Sequence, residues 1–206
     1  MQKRKEGNAV EAMEAMLTRR STRKYRPDPV AREQLDRILE AGRQAPSGGN
    51  NQTNHFLVIR DPAVLSRLIG MAEKAFAGME VNENTYASIR HSVEASKRGG
   101  YDFTYHAPVL IVVANRPGYG NNLADCACAI ENMMVAANAL DLGSCWINQL
   151  RWLNEEPEIV RCLTELGMKE EERVYGAVAI GHPATESGLP ARHRMPQKGN
   201  EITWIG

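Results

Sequence analysis

Apolar positions along the chain change period several times, and each change marks an element. Val10, Met13 and Leu17 recur at helical spacing, as do Leu35, Ile38, Leu39 and Gly42, so two amphipathic helices are predicted near the start. His55-Phe56-Leu57-Val58-Ile59 is a β-rich run closed by Asp61-Pro62. That pair reads as an N-cap with Pro at the first helical position, opening a helix through Leu65, Leu68 and Ile69. Val109-Leu110-Ile111-Val112-Val113 has the unbroken β-branched character of a strand buried on both faces.

Leu123, Ala127, Ile130, Met134 and Ala137 then trace one stripe of a long central helix over about residues 121–140, ended by Gly143. Ser144-Cys145-Trp146-Ile147 predicts a short strand, and Ile159, Val160, Leu163 and Leu166 predict a helix with Gly167 as C-cap. A last strand runs from Val174 to Ile180, closed by Gly181-His182-Pro183. Residues 78–106 mix polar positions with Tyr86, Ile89, Val93, Tyr101, Phe103 and Tyr105 and are broken at Gly99-Gly100, which reads as a helical, mobile cover. Ile202-Thr203-Trp204-Ile205 is a strand-like tail beyond a long polar loop, with no obvious partner in its own subunit, and is predicted to pack on a neighbour. No repeat or low-complexity segment interrupts the pattern.

At 206 residues the chain suits one domain, and 43% hydrophobic with 24% charged residues is ordinary globular composition. Lys plus Arg and Asp plus Glu are equal at 25 each, so no global basic field exists to hold nucleic acid or an anionic membrane. Met1-Gln2-Lys3-Arg4-Lys5-Glu6 is charged and is not followed by an apolar segment of export-signal length, so a cytoplasmic protein is expected. Cys126, Cys128, Cys145 and Cys162 form neither a C-x-x-C pair nor a Cys/His zinc pattern and are expected to be packed, reduced thiols. His55, His91, His106, His182 and His193 show no ligand spacing, and no metal site is expected.

The local basic clusters must therefore serve something small. Arg19-Arg20-Ser21-Thr22-Arg23 and Arg192-His193-Arg194 offer guanidinium forks for a phosphate, and Pro46-Ser47-Gly48-Gly49-Asn50-Asn51-Gln52 offers backbone N–H groups and amides for a ring edge. Each has a plainer reading when taken alone. The first can be a solvated helix end, the second a simple turn, the third an exposed loop, and Trp146 a core aromatic.

Taken together, Arg19–Arg23, Ala45–Gln52, Leu142-Gly143-Ser144-Cys145-Trp146-Ile147 and Ala179-Ile180-Gly181-His182-Pro183 come in the order and spacing of the nitroreductase family. From about residue 13 onward the chain resembles an FMN-dependent nitroreductase. The resemblance implies an α+β fold, with a mixed, largely antiparallel sheet wrapped by helices and a domain-swapped C-terminal strand in a homodimer. It makes residues 1–206 one FMN-binding domain, with 78–106 as substrate cover and 184–206 as an extension onto the partner. It implies that NADH or NADPH reduces FMN, leaves, and is replaced by a small-molecule electron acceptor such as a nitroaromatic or quinone.

By position, the resemblance assigns Arg19, Arg20, Ser21 and Arg23 to the phosphate, ribityl chain and pyrimidine edge, with Arg192 and Arg194 completing the phosphate clamp. Pro46, Ser47, Gly48 and Asn50 would come from the partner subunit, and Trp146, Ile147 and Asn148 would lie along the isoalloxazine ring. A flavin carries the electron transfer itself, so no catalytic side chain is required; Arg23 would stabilise charge at the N1–C2=O edge, and an N–H of the Asn148-Gln149 turn would face N5. The chain departs from the family pattern at Thr53-Asn54, where many members have Pro-Trp, and at Asn148-Gln149, where one subgroup has Glu-Gly. Two alternatives stay open: a specialised reaction on the same scaffold, such as dehalogenation, flavin fragmentation or ring oxidation, and a flavin-binding dimer without turnover.

Overall fold

The computed structural model describes residues 11–206; Val10 of the first predicted stripe and the charged 1–6 segment lie outside the described residues. Helices α1 (Ala12–Thr18), α2 (Arg32–Arg43), α3 (Pro62–Gly78), α4 (Ala87–Arg98), α5 (Asn122–Ala139), α6 (Gln149–Trp152) and α7 (Pro157–Glu165) surround strands β1 (His55–Ile59), β2 (Val109–Asn115), β3 (Gly143–Ile147) and β4 (Arg173–Gly181). The strands form a four-stranded sheet in the order β1-β2-β4-β3, and every ladder is antiparallel. Among the described residues the one parallel pairing is an isolated bridge between Ser21 and Ser144.

The unbroken apolar run of β2 is explained by two cores, one on each face of the sheet. Leu110, Val112 and Ala114 join Leu68, Phe76, Leu153 and Leu163, while Val109, Ile111 and Val113 join Ile38, Ile130, Met133 and Leu142. Strand β4 sends Val174, Ala177 and Ala179 to the first core and Val178 and Ile180 to the second. That parity requires one extra residue, and the register supplies it: Val113 pairs with Gly176 but Ala114 with Val174, so a bulge at Tyr175 resets the alternation. Asp61 caps α3 as expected, accepting from the N–H of Ala63 and Val64, with Pro62 in the first turn.

Several expectations are corrected. Met13 and Leu17 of α1 are 58% and 41% exposed, whereas Ala15 and Thr18 are buried, so the first apolar stripe does not face this chain's core. Leu123 is likewise exposed at 41%; the buried face of α5 runs through Cys126, Ala129, Ile130, Met133 and Ala137. Gly143 does not end α5. The chain turns at Asp141, whose φ is +63°, and Gly143 already lies in β3. Cys128 is exposed while Cys126, Cys145 and Cys162 are buried, and burial pushes the Cys126 thiol up to about 12. The short α6 turn carries no apolar stripe and was not foreseen. Residues 202–205 form no strand in this chain, because no neighbouring strand offers them a ladder; Ile202, Trp204 and Ile205 are 76%, 90% and 97% exposed. Among the described residues no helix is long and apolar enough to cross a membrane.

The segment after α1 is laid along the β3 side of the sheet. Thr22 N–H donates to the Ser144 carbonyl at 2.8 Å, Arg26 N–H to that of His182 at 2.8 Å, and the Tyr25 hydroxyl to that of Ala179 at 3.3 Å. Gly143 permits this approach, since a Cβ there would sit 2.7 Å from the Thr22 side chain. Thr22 is β-branched and cannot swing clear. We expect Gly143→Ala to destabilise the fold by about 1–3 kcal/mol, checked by denaturant unfolding.

Glu172 is buried and accepts from His55 Nδ1 at 2.6 Å and from the Lys169 N–H at 3.0 Å. Burial alone would raise its pKa, but the bonds from His55 and Lys169 outweigh it and hold the carboxyl below its ordinary 4.5. A depressed pKa contributes stability that is present above 4.5 and lost as pH falls through the lower folded value. Wild type is therefore expected to be more stable than Glu172→Gln at neutral pH, with the gap closing as thermal melts are taken to acid.

Candidate active site

Arg19 and Arg20 follow α1 in a half-buried turn. Arg19 Nε pairs with Glu131 at 3.3 Å, and Arg20 bonds the carbonyls of Arg19 and Leu17. Arg19 Nη1 and Arg20 Nε are nevertheless buried with no hydrogen-bond partner. Buried guanidinium nitrogens without acceptors are costly, and an anion is the natural group to satisfy them. Ser21 bridges to Ser144, and Arg23 lies 5.9 Å from the centroid of the Tyr105 ring. Cys145 sits behind this segment; burial raises its thiol pKa against the pull of Arg23, Ser21 and Arg19, which places the thiol among the first-motif side chains.

Arg23 opens onto a cleft of about 410 Å³. Trp146 and Asn148, at the end of β3, form part of its wall, and Trp146 Nε1 donates to Asn148 Oδ1 at 2.9 Å. Gly176 on β4 leaves room for Ile130 of α5, since a Cβ there would stand 2.6 Å from Ile130 Cδ1. Ile147 is buried in the core beneath and can offer only backbone. The opposite wall comes from the predicted cover, through Ser88, His91, Ser92, Tyr101 and Tyr105. Gln149 and Trp152 also line the cleft and were missed as site residues; both lie on α6.

A directed chain of hydrogen bonds crosses the cleft. The Ser92 hydroxyl donates to the Ser88 carbonyl at 3.0 Å, which leaves Tyr101 to donate to Ser92 at 2.8 Å. Gln149 Nε2 donates to the Tyr101 oxygen at 2.8 Å, and Gln149 Oε1 accepts the Asn148 N–H at 3.1 Å. Burial raises the Tyr101 pKa, against the pull of its bonds to Ser92 and Gln149, so the phenol stays protonated. The Asn148 N–H expected to face a flavin is thus held by the neighbouring carboxamide.

Arg192 is tied to α1 through one residue, Asn138. It donates to the side chain and carbonyl of Asn138 and to Asp141 Oδ1 at 2.6 Å, while Asn138 Nδ2 donates to the Ala15 carbonyl at 2.9 Å. Arg194, two residues on, is exposed, with no contact tying it to Arg19. The Pro46–Gln52 loop sits elsewhere. Gly48 N–H is bonded to Asp125 in the first turn of α5, whereas Asn138 lies in its last, so about 20 Å of helix separates the two halves of the proposed site within one chain. A single chain therefore brings together Arg19–Arg23, Arg192 and Trp146–Asn148, and leaves Pro46, Ser47, Gly48 and Asn50 at the far end of α5.

Comparisons with known proteins bear on the family and the fold. A family model described as the nitroreductase family matches residues 16–182. An NADH dehydrogenase of Thermus thermophilus is 30% identical over 197 residues, covering 91% of this chain and 93% of the relative. Two solved structures superpose closely, both nitroreductases with bound FMN. The one from Bacteroides fragilis has a TM-score of 0.83 at 37% identity, covering 96% of this chain and 100% of its own. The one from Desulfitobacterium hafniense has 0.78 at 26%, covering 96% and 99%. With the motif order, the antiparallel sheet and these matches in place, the chain belongs to the nitroreductase family of oxidoreductases.

Proposed function

We propose that this protein binds FMN and transfers hydride from NADH or NADPH to a small electrophilic acceptor, such as a nitroaromatic or quinone, in ping-pong order as a homodimer. One observation carries the reading: two buried arginine nitrogens, of Arg19 and Arg20, lack an acceptor in the same segment whose Arg23 shares a cleft with the half-buried Trp146. A phosphate monoester supplies that acceptor, and a planar ring system suits the Trp146 wall. The FMN bound in the Bacteroides fragilis relative has both parts. When bound, FMN would supply the two-electron chemistry.

The residues of this chain then bind and orient. Arg19, Arg20 and Arg194 serve the phosphate, while Arg192, already engaged with Asn138 and Asp141, fixes where the tail leaves the body and so where Arg194 can reach. Ser21 holds its place on β3, and Arg23 keeps a permanent positive charge at the cleft, where it favours negative charge on the ring edge. Ile147 and Asn148 set the backbone beside the ring. Gln149 orients the Asn148 N–H, and the 78–106 cover excludes water from above.

Pro46, Ser47, Gly48 and Asn50 complete the site from a second copy. The sheet order leaves the outer edge of β1 open, with Val58 exposed on it, whereas β3's edge is met by Ser21. An exposed edge and an exposed Ile-Thr-Trp-Ile tail are complementary across two copies, and a tail strand entering in parallel would make the sheet mixed. The exposed Met13, Met16 and Leu17 give the copies an apolar face to share.

The directed Ser92-Tyr101-Gln149 chain favours a selective pocket over an open one, and so the specialised reading within this scaffold. A panel of acceptors presented to the reduced holoprotein separates the two: one acceptor far above the rest in kcat/KM marks a specialised enzyme, an even spread a general reductase.

Purified protein should take up FMN, turn yellow and bleach anaerobically with NADH or NADPH. Arg19→Ala/Arg20→Ala should weaken FMN by about 10–100-fold and riboflavin far less, because the lost donors serve the phosphate. Equal loss for both flavins would place the phosphate elsewhere, and a yellow protein that neither nicotinamide bleaches would leave only the binding-dimer alternative.

Removal of residues 198–206 should shift the assembly from dimer toward monomer by light scattering and release FMN with it. A full-length protein that is monomeric while holding FMN would overturn the two-chain site.

A further inference from the structure

The loop 46–52 presents a problem that its own residues do not solve. Gly49, Asn50 and Gln52 all have left-handed backbones, with φ of +58°, +55° and +51°, and two of the three carry a Cβ. Such conformations persist only where the surroundings over-determine them. Within the loop, Asn50 N–H bonds the Ser47 carbonyl at 2.9 Å, Asn51 N–H the Gly48 carbonyl at 3.2 Å, and Gln52 N–H the Ser47 hydroxyl at 3.0 Å. These bonds shape the loop but do not attach it to the body.

The attachment is made by Asp125 and Tyr119. Asp125 is 4% exposed; its Oδ1 accepts the Gly48 N–H at 3.0 Å, and its Oδ2 accepts the Tyr119 hydroxyl at 2.9 Å. The Tyr119 oxygen also lies 3.1 Å from the Gly48 carbonyl and accepts from Asn51 Nδ2 at 3.3 Å. Gly48 is pressed so close that a Cβ would stand 2.0 Å from Asn121 Nδ2 and 2.8 Å from the Tyr119 oxygen. The exit of the loop is held from the same helix turn. Asn54 Nδ2 donates to the Asp125 carbonyl at 3.0 Å, and Asn54 Oδ1 accepts from Asn115 at 2.9 Å and from the Cys126 thiol at 3.2 Å. This accounts for Asn54 where the family pattern has an aromatic: here a buried polar network, not a ring, closes the loop.

A buried carboxylate is tolerated only with its oxygens bonded, and both oxygens of Asp125 are; its place in the first turn of α5 puts it at the favourable end of the helix dipole. We propose that Asp125, acting with Tyr119, is a positioning residue that locks the 46–52 loop in the form that binds cofactor, so that the loop is preorganised before FMN arrives. The carboxylate acts through the loop. It engages the Gly48 N–H itself, and the N–H groups of Asn50, Asn51 and Gln52 are bonded within the loop, so the donors the loop can give to FMN are the Ser47 hydroxyl, the Asn50 amide and the Gly49 N–H. The identity of the ligand rests on the function proposed above; the locking of the loop does not.

The test compares Asp125→Ala, Asp125→Asn and Tyr119→Phe with wild type by three measurements. These are amide hydrogen exchange of the apoprotein resolved to 46–52, FMN titration by fluorescence, and the thermal midpoint. Asp125→Ala should speed exchange in 46–52 and weaken FMN, each by about tenfold or more, with α5 and β2 exchange unchanged. Asp125→Asn retains an acceptor for Gly48 N–H and should recover part of both, and Tyr119→Phe should fall between. Wild-type exchange and affinity in the alanine variant would overturn the proposal, as would losses spread evenly over every segment in step with the thermal midpoint. If Asp125→Ala does not fold, the other two variants decide on the same measurements. If wild type binds no FMN, the cofactor reading fails while the exchange data still decide the role of Asp125.

Discussion

The packing of α5 across one face of the sheet is the constraint on which the rest depends. Ile130, Met133 and Ala137 close the second core over Ile111 and Val178, so the helix cannot shift without opening a fully buried layer. Its two ends then act as fixed points. Asn138, in the last turn, ties the carbonyl of Ala15 and the guanidinium of Arg192, and Asp125, in the first, ties Gly48. Both halves of the proposed cofactor site are thereby referenced to one rigid rod.

This arrangement explains why arginines from opposite ends of the sequence can serve one site. Arg192 is brought near α1 by Asn138 on α5 and Asp141 just beyond it, and not by contact with the first motif itself. The same rod makes a one-chain site geometrically difficult, since the amide-rich loop stands about 20 Å along it. A second copy related by symmetry removes the difficulty, and the apolar side chains that α1 and the C-terminal tail leave in water give such a copy something to bury.

The cleft shows a division of labour. The wall supplied by Arg23 and β3 is held by backbone bonds to the sheet. The opposite wall is held by side chains, through Tyr101 to Gln149 and an edge-on contact of Tyr86 with Trp152 at 6.0 Å. Side-chain contacts of this sort can be exchanged without disturbing the sheet, which is where specificity among relatives of one fold can vary.

Elements whose apolar period reflects burial within one chain were legible in the sequence. β2, β4 and α7 appear as read, and the Asp61-Pro62 start of α3 is fixed by local capping chemistry that needs no tertiary partner. The basic and Gly/Asn-rich motifs were legible as marks of the family, because they come in its order and spacing. What could not be read is everything that depends on which face meets which neighbour. Met13, Leu17 and Leu123 scored as core because apolarity does not say whose core. Gln149, Trp152 and Asp125 carried no motif, since a single polar or aromatic residue acquires a role only from what folding sets beside it. Local chemistry and periodicity thus determined the elements and marked the motifs to which a ligand is proposed to bind. The tertiary structure alone decided the convergence, because hydrogen bonds between residues such as Gly48 and Asp125 join positions far apart in sequence, and no short-range pattern encodes them.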